Sequence, residues 1–386
     1  MNPKLHQASQ LSALTGLRFL AAMWVVLLHN ANPAKVPAFA RSFLDRGYVA
    51  VDIFFILSGF ILTLNYLTPK GTLRGGKVSF WMARIARIYP VYALALLLSI
   101  PMGIDRFRSG EGFTGPLHFA ITFLLTALLQ QSWWSSASTL WNYPAWSVSA
   151  EAFFYLIFPL ALVYVARIPV RRLFAVLALC WCVAMAGPAI GFIDNPAASY
   201  DAMRTDFGRY VLMVNPLLRL PEFVFGMILG RIYQSDKPDI KLLSRWTVAA
   251  LAAAAAVLFT AGTPRIFVGN GLLAPAWGLL ILALAFGRPA PLHRFLSTPA
   301  MVLLGEISYG IYILQAPVTW FVFRVYHGPA GLLVYCTTLL TSSLLSFWYF
   351  ETPVRNRIRI RFGRKPVDVV APAEALVSSY ESGVAS

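Results

Sequence analysis

Charged side chains are scarce in this chain of 386 residues, and the acidic ones are the scarcest. Asp, Glu, Lys and Arg make up 12% of the residues, with 16 acidic side chains against 32 basic ones. A water-soluble domain carries about twice that charged share. The chain is also 58% hydrophobic, with a mean hydropathy of +0.65. The composition therefore excludes an ordinary soluble domain and indicates a polytopic membrane protein.

Several common site patterns are also missing. The sequence has no zinc-ligand spacing, no Walker loop, and no Gly-x-Gly-x-x-Gly turn after a strand. The three cysteines give no disulfide framework, because Cys180 and Cys182 point in different directions on one apolar run and Cys336 lies in another. We interpret all three as buried thiols and expect no metal site.

The net charge of +16 would indicate a nucleic-acid partner in a soluble protein. Here the basic residues lie in short loops between apolar runs, so membrane topology explains them and we expect no nucleic-acid partner. Ala38-Phe39-Ala40 fits a signal-peptide cleavage site, but Arg18 interrupts the apolar run that precedes it. We therefore interpret that run as the first membrane helix.

Apolar runs of membrane-spanning length recur along the chain, and each is a candidate helix. Eleven such runs are present, at about 14–30, 48–67, 84–103, 116–132, 145–166, 172–193, 211–233, 246–262, 270–287, 300–323 and 330–350. The expected fold class is an all-α membrane helix bundle.

Basic loops indicate which of these runs cross the membrane, because Lys and Arg concentrate on the cytoplasmic side. The basic segments are 68–87, 167–172, 231–245, a weaker one at Arg288 and Arg294, and the tail from Arg355 to Lys365. If every run crossed, loops 68–87 and 167–172 would lie on opposite sides. We predict that the run 116–132 does not cross, which leaves ten spanning helices, both termini in the cytoplasm, and 104–144 as an outer segment with a re-entrant or interfacial helix.

The first apolar run carries two ionisable residues, Arg18 and His29. Eleven residues separate them, so both project from one helix face roughly 16 Å apart along the axis. Ionisable residues in a membrane helix usually face a polar interior and have a function. The alternative is that Arg18 extends to one interface and His29 ends the helix in the other.

Two further segments carry charged residues that suit a site. Asp52 begins a very apolar run, where it either favours the helix N-terminus or orients a histidine ring. Arg84 and Arg87 are three residues apart and share a helix face, so both can hold one phosphate group. The alternative for this pair is anchoring of the helix on the cytoplasmic side.

Carboxylates also occur farther along the chain. Glu151 lies in the first turns of an apolar run, where it can pair with an arginine or histidine. Arg219 and Glu222 stand at i and i+3, and we predict an internal salt bridge that fixes helix packing. The isolated histidines need no function and lie at predicted interfaces; they are His118, His293 and His327.

With these segments assembled, the chain resembles the acyltransferase 3 family of bacterial integral membrane O-acyltransferases from Leu11 to about Arg357. Seven segments in the family's order carry the resemblance: Leu17-Arg18 with His29, Val51-Asp52-Ile-Phe-Phe-Ile-Leu-Ser58-Gly59, Arg84-x-x-Arg87-Ile-Tyr-Pro90, Trp146-Ser147-Val-Ser149-Ala-Glu151, Arg219-Leu-Pro-Glu222-Phe, Leu304-Gly305-Glu-Ile-Ser308-Tyr309-Gly-Ile-Tyr312 and Phe350-Glu351-Thr-Pro353. One departure is Ala152, where the family usually has an aromatic residue after the glutamate.

The resemblance implies transfer of an acyl group, usually acetyl from acetyl-CoA, to a hydroxyl of an extracytoplasmic glycan or lipid-linked glycan. It also implies that His29 is catalytic, that Asp52 and Glu151 support it, and that the CoA-binding residues are Arg18, Arg84 and Arg87. It places the protein in the bacterial inner membrane, without a metal. The resembling part is the membrane domain 11–357, of the type that has no fused esterase-like domain, and 358–386 is expected to be a basic, then disordered, cytoplasmic tail.

The expected mechanism brings the CoA thioester up the bundle toward His29. Neutral His29 then removes the proton of the acceptor hydroxyl, with its ring oriented by Asp52 or Glu151. An acyl-His29 intermediate is a second route. The alternative to an enzyme is a glycan or lipid transporter, in which charged residues line a central cavity without chemistry.

Overall fold

The computed structural model describes residues 3–30, 37–135, 137–194, 212–235, 239–260 and 262–362, and this part of the chain is almost entirely helical. We number the helices in chain order: α1 Pro3–Asn30, α2 Ala38–Asp45, α3 Ala50–Tyr66, α4 Lys77–Leu98, α5 Ile100–Arg108, α6 Pro116–Ala127, α7 Trp146–Arg167, α8 Leu173–Asp194, α9 Pro216–Ser235, α10 Ile240–Phe259, α11 Arg265–Val268, α12 Ala274–Ala285, α13 Ala290–Leu296, α14 Pro299–Phe323, α15 Gly328–Leu345 and α16 Thr352–Phe362. A π-helical turn, Ser346–Glu351, joins α15 to α16.

The predicted helix bundle is confirmed. The described residues contain 9 helices that are long and apolar enough to cross a membrane, or 10 if the bent pair α12–α13 forms one span. Within the tail expected from residue 358, helix α16 continues to Phe362, and residues 363–386 lie outside the described part. The thiols were wrongly expected to be buried, since Cys182 and Cys336 are exposed and Cys180 is partly so. In a membrane bundle such positions face lipid.

The run 270–287 corresponds to a helix that is shorter than the run, and a second short helix follows it at an angle. Helix α12 ends at Ala285, and α13 starts at Ala290 after a bend of 80°. Gly287 adopts a positive φ of 74°, which favours glycine, and Pro289 has no N–H to continue a helix. These two residues explain the bend.

The run 116–132 does not pass through the bundle, as predicted from the basic loops. Helix α6 is only 12 residues long and packs along α4, with the carbonyl of Ala127 accepting from Tyr89 and that of Thr126 accepting from Tyr92. The chain then reverses at Leu129, whose φ is 58°, and returns until Trp141 packs against Phe119 near the start of α6. A short helix followed by a reversal of the chain is compatible with either predicted form, a re-entrant or an interfacial helix.

Two glycine contacts bring the helices of the site close together. A Cβ on Gly226 of α9 would lie 2.0 Å from the carbonyl oxygen of Ile56 in α3. A Cβ on Gly305 of α14 would lie 2.0 Å from the carbonyl oxygen of Thr15 in α1. Only glycine permits such backbone approach, which is a common way for membrane helices to pack. The second contact aligns α1 and α14 in parallel, so their later residues also meet.

Three of the basic segments, 68–87, 167–172 and the one that begins at Arg355, lie near one another, as the topology prediction requires. A Cβ on Gly71 would lie 3.5 Å from the Cβ of Ala166, so loop 68–76 reaches the end of α7 beside the 167–172 segment. The guanidinium of Arg87 pairs with Glu351, which leads into the basic helix α16. The opposite end holds His29 and the start of α3.

Candidate active site

A cavity of about 140 Å³ lies in the middle of the bundle, between α1, α3, α4, α7 and α14. Four of the predicted site residues line it, namely Arg18, Arg84, Arg87 and Glu151. The other lining residues are Phe54, Phe55, Leu57, Ser58, Ile61, Leu62, Ile88, Ser147, Val148, Tyr155, Ser308, Tyr309 and Tyr312. His29 and Asp52 do not line this cavity. The structure thus brings the predicted CoA-binding arginines together, but it separates them from His29.

Arg18 enters the cavity from α1 and is only partly buried. Among the residues that the structure describes, none accepts a hydrogen bond from its guanidinium or forms an ion pair with it. A guanidinium has five N–H donors, and a partly buried one without acceptors favours an anionic ligand. Arg18 is therefore the cavity group most suited to bind an anion.

Arg84 is held among aromatic rings. Its guanidinium carbon lies 5.5 Å, 5.9 Å and 5.8 Å from the ring centroids of Tyr66, Phe80 and Tyr155. It also donates to the Tyr66 hydroxyl at 3.3 Å. Cation–π contacts of this kind orient the side chain and leave its charge uncancelled. Arg84 can therefore still attract a phosphate.

Arg87 differs from its neighbour on the same helix face. It forms an ion pair with Glu351, which is 2% exposed and also has Arg355 at 3.7 Å. The Arg84 and Arg87 pair was expected to hold one phosphate, but half of that pair is already neutralised by a protein carboxylate. The resulting contact ties together two of the seven segments, one in α4 and one in the π-helical turn before α16.

Glu151 lies on the cavity wall at the level of Ser58. Its Oε1 accepts from the Ser58 hydroxyl at 2.8 Å and from the Tyr155 hydroxyl one helical turn later. Both donors use the same oxygen, and within the described residues none donates to Oε2. The carboxylate is thus fixed in position with one oxygen available to a ligand.

Tyr312 closes the cavity on the side toward His29. Its hydroxyl oxygen lies 2.7 Å from the Ser147 hydroxyl and 3.1 Å from the carbonyl oxygen of Pro144. The ring meets Phe54 edge-on at 5.7 Å between centroids. The Tyr312 carbonyl also accepts from Gln315, which contacts His29, so Tyr312 links the cavity wall to the His29 region.

His29 ends α1 on the far side of Tyr312 and is exposed. Its Nδ1 lies 3.0 Å from Oε1 of Gln315 in α14, and its ring stands edge-on to Tyr143 at 4.6 Å between centroids. The expectation that Asp52 or Glu151 orients His29 is therefore wrong, because Gln315 occupies that position.

Asp52 belongs instead to a buried ion cluster beside the site. Its Oδ1 lies 2.5 Å from Nη2 of Arg219, and Oε2 of Glu222 lies 3.0 Å from the same nitrogen. Arg219 also donates to the carbonyl oxygen of Gly269 at 2.5 Å. The predicted Arg219–Glu222 salt bridge is confirmed. Asp52 completes it, so the cluster joins α3, α9 and the segment before α12.

Sequence reasoning missed Gln315, Tyr312 and Tyr143. A signal for Gln315 was present, because it is an amide in the middle of an apolar membrane run, and polar residues there usually have a role. Tyr143 does not stand out in a sequence with 16 tyrosines. Tyr312 was named only as the last residue of one of the seven segments, without a role. Their positions follow from the parallel packing of α1 and α14, which composition and periodicity do not specify.

Comparison with known proteins gives one family and several relatives. A family model for an acyltransferase domain matches residues 11–351. The acyltransferase MdmB of Streptomyces mycarofaciens is 28% identical over 95% of this chain and 96% of its own length. The O-acetyltransferase OatA of Staphylococcus aureus is 24% identical over 92% of this chain, but the match spans 58% of that longer protein. No solved structure matches.

Proposed function

Since this chain belongs to the acyltransferase 3 family, whose domain covers most of its length, we propose that it moves an acetyl group from acetyl-CoA to a hydroxyl of an extracytoplasmic glycan. Membership makes it a membrane O-acyltransferase, and its relatives include proteins named as an acyltransferase and an O-acetyltransferase. This rules out the transporter alternative. The donor, the acceptor and the orientation in the bacterial inner membrane, with both termini in the cytoplasm, belong to the proposal.

The observation that carries the donor assignment is the set of arginines in the cavity. Arg18 has no acceptor among the described residues, and Arg84 keeps its charge between aromatic rings. CoA is a polyanion whose phosphates suit guanidinium groups. The cavity lies between the basic end of the bundle and His29, so we propose that CoA enters from the basic, cytoplasmic end.

The acceptor approaches from the other end in this proposal. His29 is exposed there, and the neighbouring polar side chains of Asn30, Thr319 and Tyr335 form a hydrogen-bonded group, with distances of 2.7 Å and 3.0 Å to Asn30. A glycan hydroxyl that reaches Nε2 of His29 would find other hydrogen-bonding groups beside it. We propose a glycan or lipid-linked glycan on the outer membrane surface as the acceptor.

The proposed transfer uses His29 as a general base. Nε2 takes the proton of the acceptor hydroxyl while its oxygen attacks the thioester carbonyl carbon. The carbon–sulfur bond then breaks, the acetyl group stays on the acceptor oxygen as an ester, and the proton on His29 passes to the CoA thiolate. For these atoms to meet, the thioester passes Tyr312, which requires its hydrogen bond to Ser147 to open.

Two carboxylates of the predicted catalytic set have different parts in this scheme. Glu151 presents Oε2 to the cavity, where we propose that it accepts a hydrogen bond from an amide of the pantetheine arm. Asp52 has no route to the substrate through the cavity that the structure describes, and we propose that it holds α3 and α9 in register through Arg219.

The donor assignment is tested with the purified protein in lipid nanodiscs. Release of free CoA thiol from acetyl-CoA is measured with a thiol reagent, in the presence of deacetylated surface glycan from the producing cells. We expect glycan-dependent thiol release from the wild type and a loss of about 100-fold or more in His29→Ala. Equal rates in the two proteins would contradict the role of His29.

A further inference from the structure

We propose that Gln315 is a positioning residue that holds His29 in the tautomer with the proton on Nδ1. This inference deepens the proposed function, in which His29 is the base, and it depends on that function only for its kinetic consequence. Gln315 is fully buried, at 0% exposure, in the middle of α14.

The amide of Gln315 has one orientation that its neighbours permit. Its Nε2 donates to the carbonyl oxygen of Tyr312 at 2.8 Å. That carbonyl can only accept, so the NH2 end of the amide has to face it. The reverse orientation would place two buried acceptors, the amide oxygen and the Tyr312 carbonyl oxygen, against each other, which is unfavourable. The oxygen Oε1 therefore faces His29.

The orientation of the amide fixes the proton on the imidazole. Oε1 lies 3.0 Å from Nδ1 of His29 and can only accept a hydrogen bond. Nδ1 therefore carries a hydrogen, and in the neutral ring Nε2 has the free lone pair. Among the described residues no donor or acceptor contacts Nε2. That nitrogen is the one a general base needs.

Other contacts restrict the position of the ring. The edge-on contact with Tyr143 limits rotation of the imidazole. Asn30, the next residue, donates to Tyr335 at 3.0 Å and accepts from Thr319 at 2.7 Å, which fixes the end of α1 against α14 and α15. The position is thus determined by packing, and the tautomer is determined by Gln315.

A neutral amide in this position has a different effect from a carboxylate. In a serine-protease triad, a carboxylate holds the imidazole and stabilises its cationic form. Gln315 provides the same orientation without a negative charge. Replacement by glutamate keeps an acceptor toward Nδ1, but its second oxygen then faces the Tyr312 carbonyl and needs a proton to donate to it.

The tautomer is measured directly in the wild type, by nitrogen NMR of histidine-labelled protein in lipid bilayers at a pH where His29 is neutral. The His29 signals are identified by their loss in His29→Gln. We expect a protonated Nδ1 and an unprotonated Nε2. A wild type with the proton on Nε2 would overturn the proposal, and this result needs no activity.

Variants test whether Gln315 is the cause. Gln315→Met removes the acceptor at similar volume, and we expect both tautomers in the spectrum and a fall in kcat of about 100-fold at an unchanged KM for acetyl-CoA. Gln315→Glu should keep the Nδ1–H tautomer, because the carboxyl oxygen that faces His29 accepts a hydrogen bond whether or not the other oxygen is protonated. The control is Gln130→Met, at a glutamine that is exposed. This substitution should change neither the His29 tautomer nor kcat.

The outcomes separate this inference from the proposed function. The expected tautomer in a protein that transfers no acetyl group would support the role of Gln315 and contradict the function. An unchanged spectrum in a folded Gln315→Met would overturn the role of Gln315, whatever the activity. A proton on Nε2 of His29 in a folded Gln315→Glu would do the same.

Discussion

Arg18 and His29 lie on one helix, and the structure gives them different surroundings. Arg18 faces a cavity in which the described residues offer it no acceptor, whereas His29 contacts a buried amide beyond Tyr312. The rise of roughly 16 Å between them is the length that a donor has to span if its phosphates reach Arg18 while its thioester reaches His29. At the residue scale, we therefore expect donor binding to depend on Arg18.

Removal of the Arg18 charge should weaken donor binding. In Arg18→Gln we expect the KM for acetyl-CoA to rise by about 10- to 100-fold, because a charge-assisted hydrogen bond contributes about 1.5–3 kcal/mol. The variant and the wild type should behave alike with acetyl-pantetheine, which has no phosphates. An equal loss with both donors would show that Arg18 does not bind phosphate. Arg18→Lys keeps the positive charge and is the matched control. Its KM for acetyl-CoA should lie between those of the wild type and Arg18→Gln.

Arg87 should act on stability more than on donor binding. Arg87→Gln leaves Glu351 without its closest cation, and loss of one partner of a buried pair costs about 3–5 kcal/mol. Arg355 at 3.7 Å reduces that cost. We expect a lower thermal unfolding temperature in Arg87→Gln and recovery in Arg87→Gln/Glu351→Gln. A double variant with the wild-type unfolding temperature but a raised KM for acetyl-CoA would instead show that Arg87 binds the donor.

The candidate site was predictable from the sequence only in part. Arg18, Arg84, Arg87 and Glu151 were named because charged groups in apolar runs are unusual, and they do line one cavity. The partner of His29 was not predictable, since it depends on the register of α1 against α14. Carboxylates attract attention in a sequence with 16 acidic residues, and a single glutamine does not.

At the scale of elements, hydropathy located the helices well because each spanning helix needs a continuous apolar run. It ended the run 270–287 close to the break at Gly287 and Pro289, but it did not predict helix α13, which follows after a bend of 80°. Nor did it indicate which helices are adjacent. That information lies in small residues, such as Gly226 and Gly305, at which two backbones touch.

The glycine contact between α3 and α9 should tolerate no side chain. In Gly226→Ala the new Cβ would lie 2.0 Å from the Ile56 carbonyl oxygen, so the helices have to separate and the Asp52–Arg219 pair has to lengthen. We expect the free energy of unfolding to fall by about 1–3 kcal/mol. The measurement is a lower unfolding temperature in detergent. The control is Gly262→Ala, where a Cβ meets nothing within 4 Å. Equal unfolding temperatures for the two variants would contradict this packing.

At the scale of the whole molecule, the basic segments and His29 lie at opposite ends of one bundle. The contact of Gly71 with Ala166 and the Arg87–Glu351 pair place three basic segments together, independently of any rule on charge. Since basic loops mark the cytoplasmic side, this arrangement predicts that His29 faces outward. The donor and the acceptor then approach from opposite sides of the membrane.

Reporter fusions test this orientation. Alkaline phosphatase fused after Gly110, in the connection between α5 and α6, should be active because only exported phosphatase folds. A fluorescent protein fused after Pro169, between α7 and α8, should fluoresce in the cytoplasm. An active phosphatase at Pro169 would reverse the predicted orientation. It would also place the arginine cavity away from cytoplasmic CoA.

The central claim is that this protein places an acyl group on a surface glycan by means of His29. The most direct measurement is mass analysis of surface glycans from cells that lack the gene and carry either the wild type or His29→Ala at equal protein level. The account predicts that the acetyl increment is present with the wild type and absent with the variant. An increment that persists with His29→Ala, or that the wild type does not restore, would contradict it.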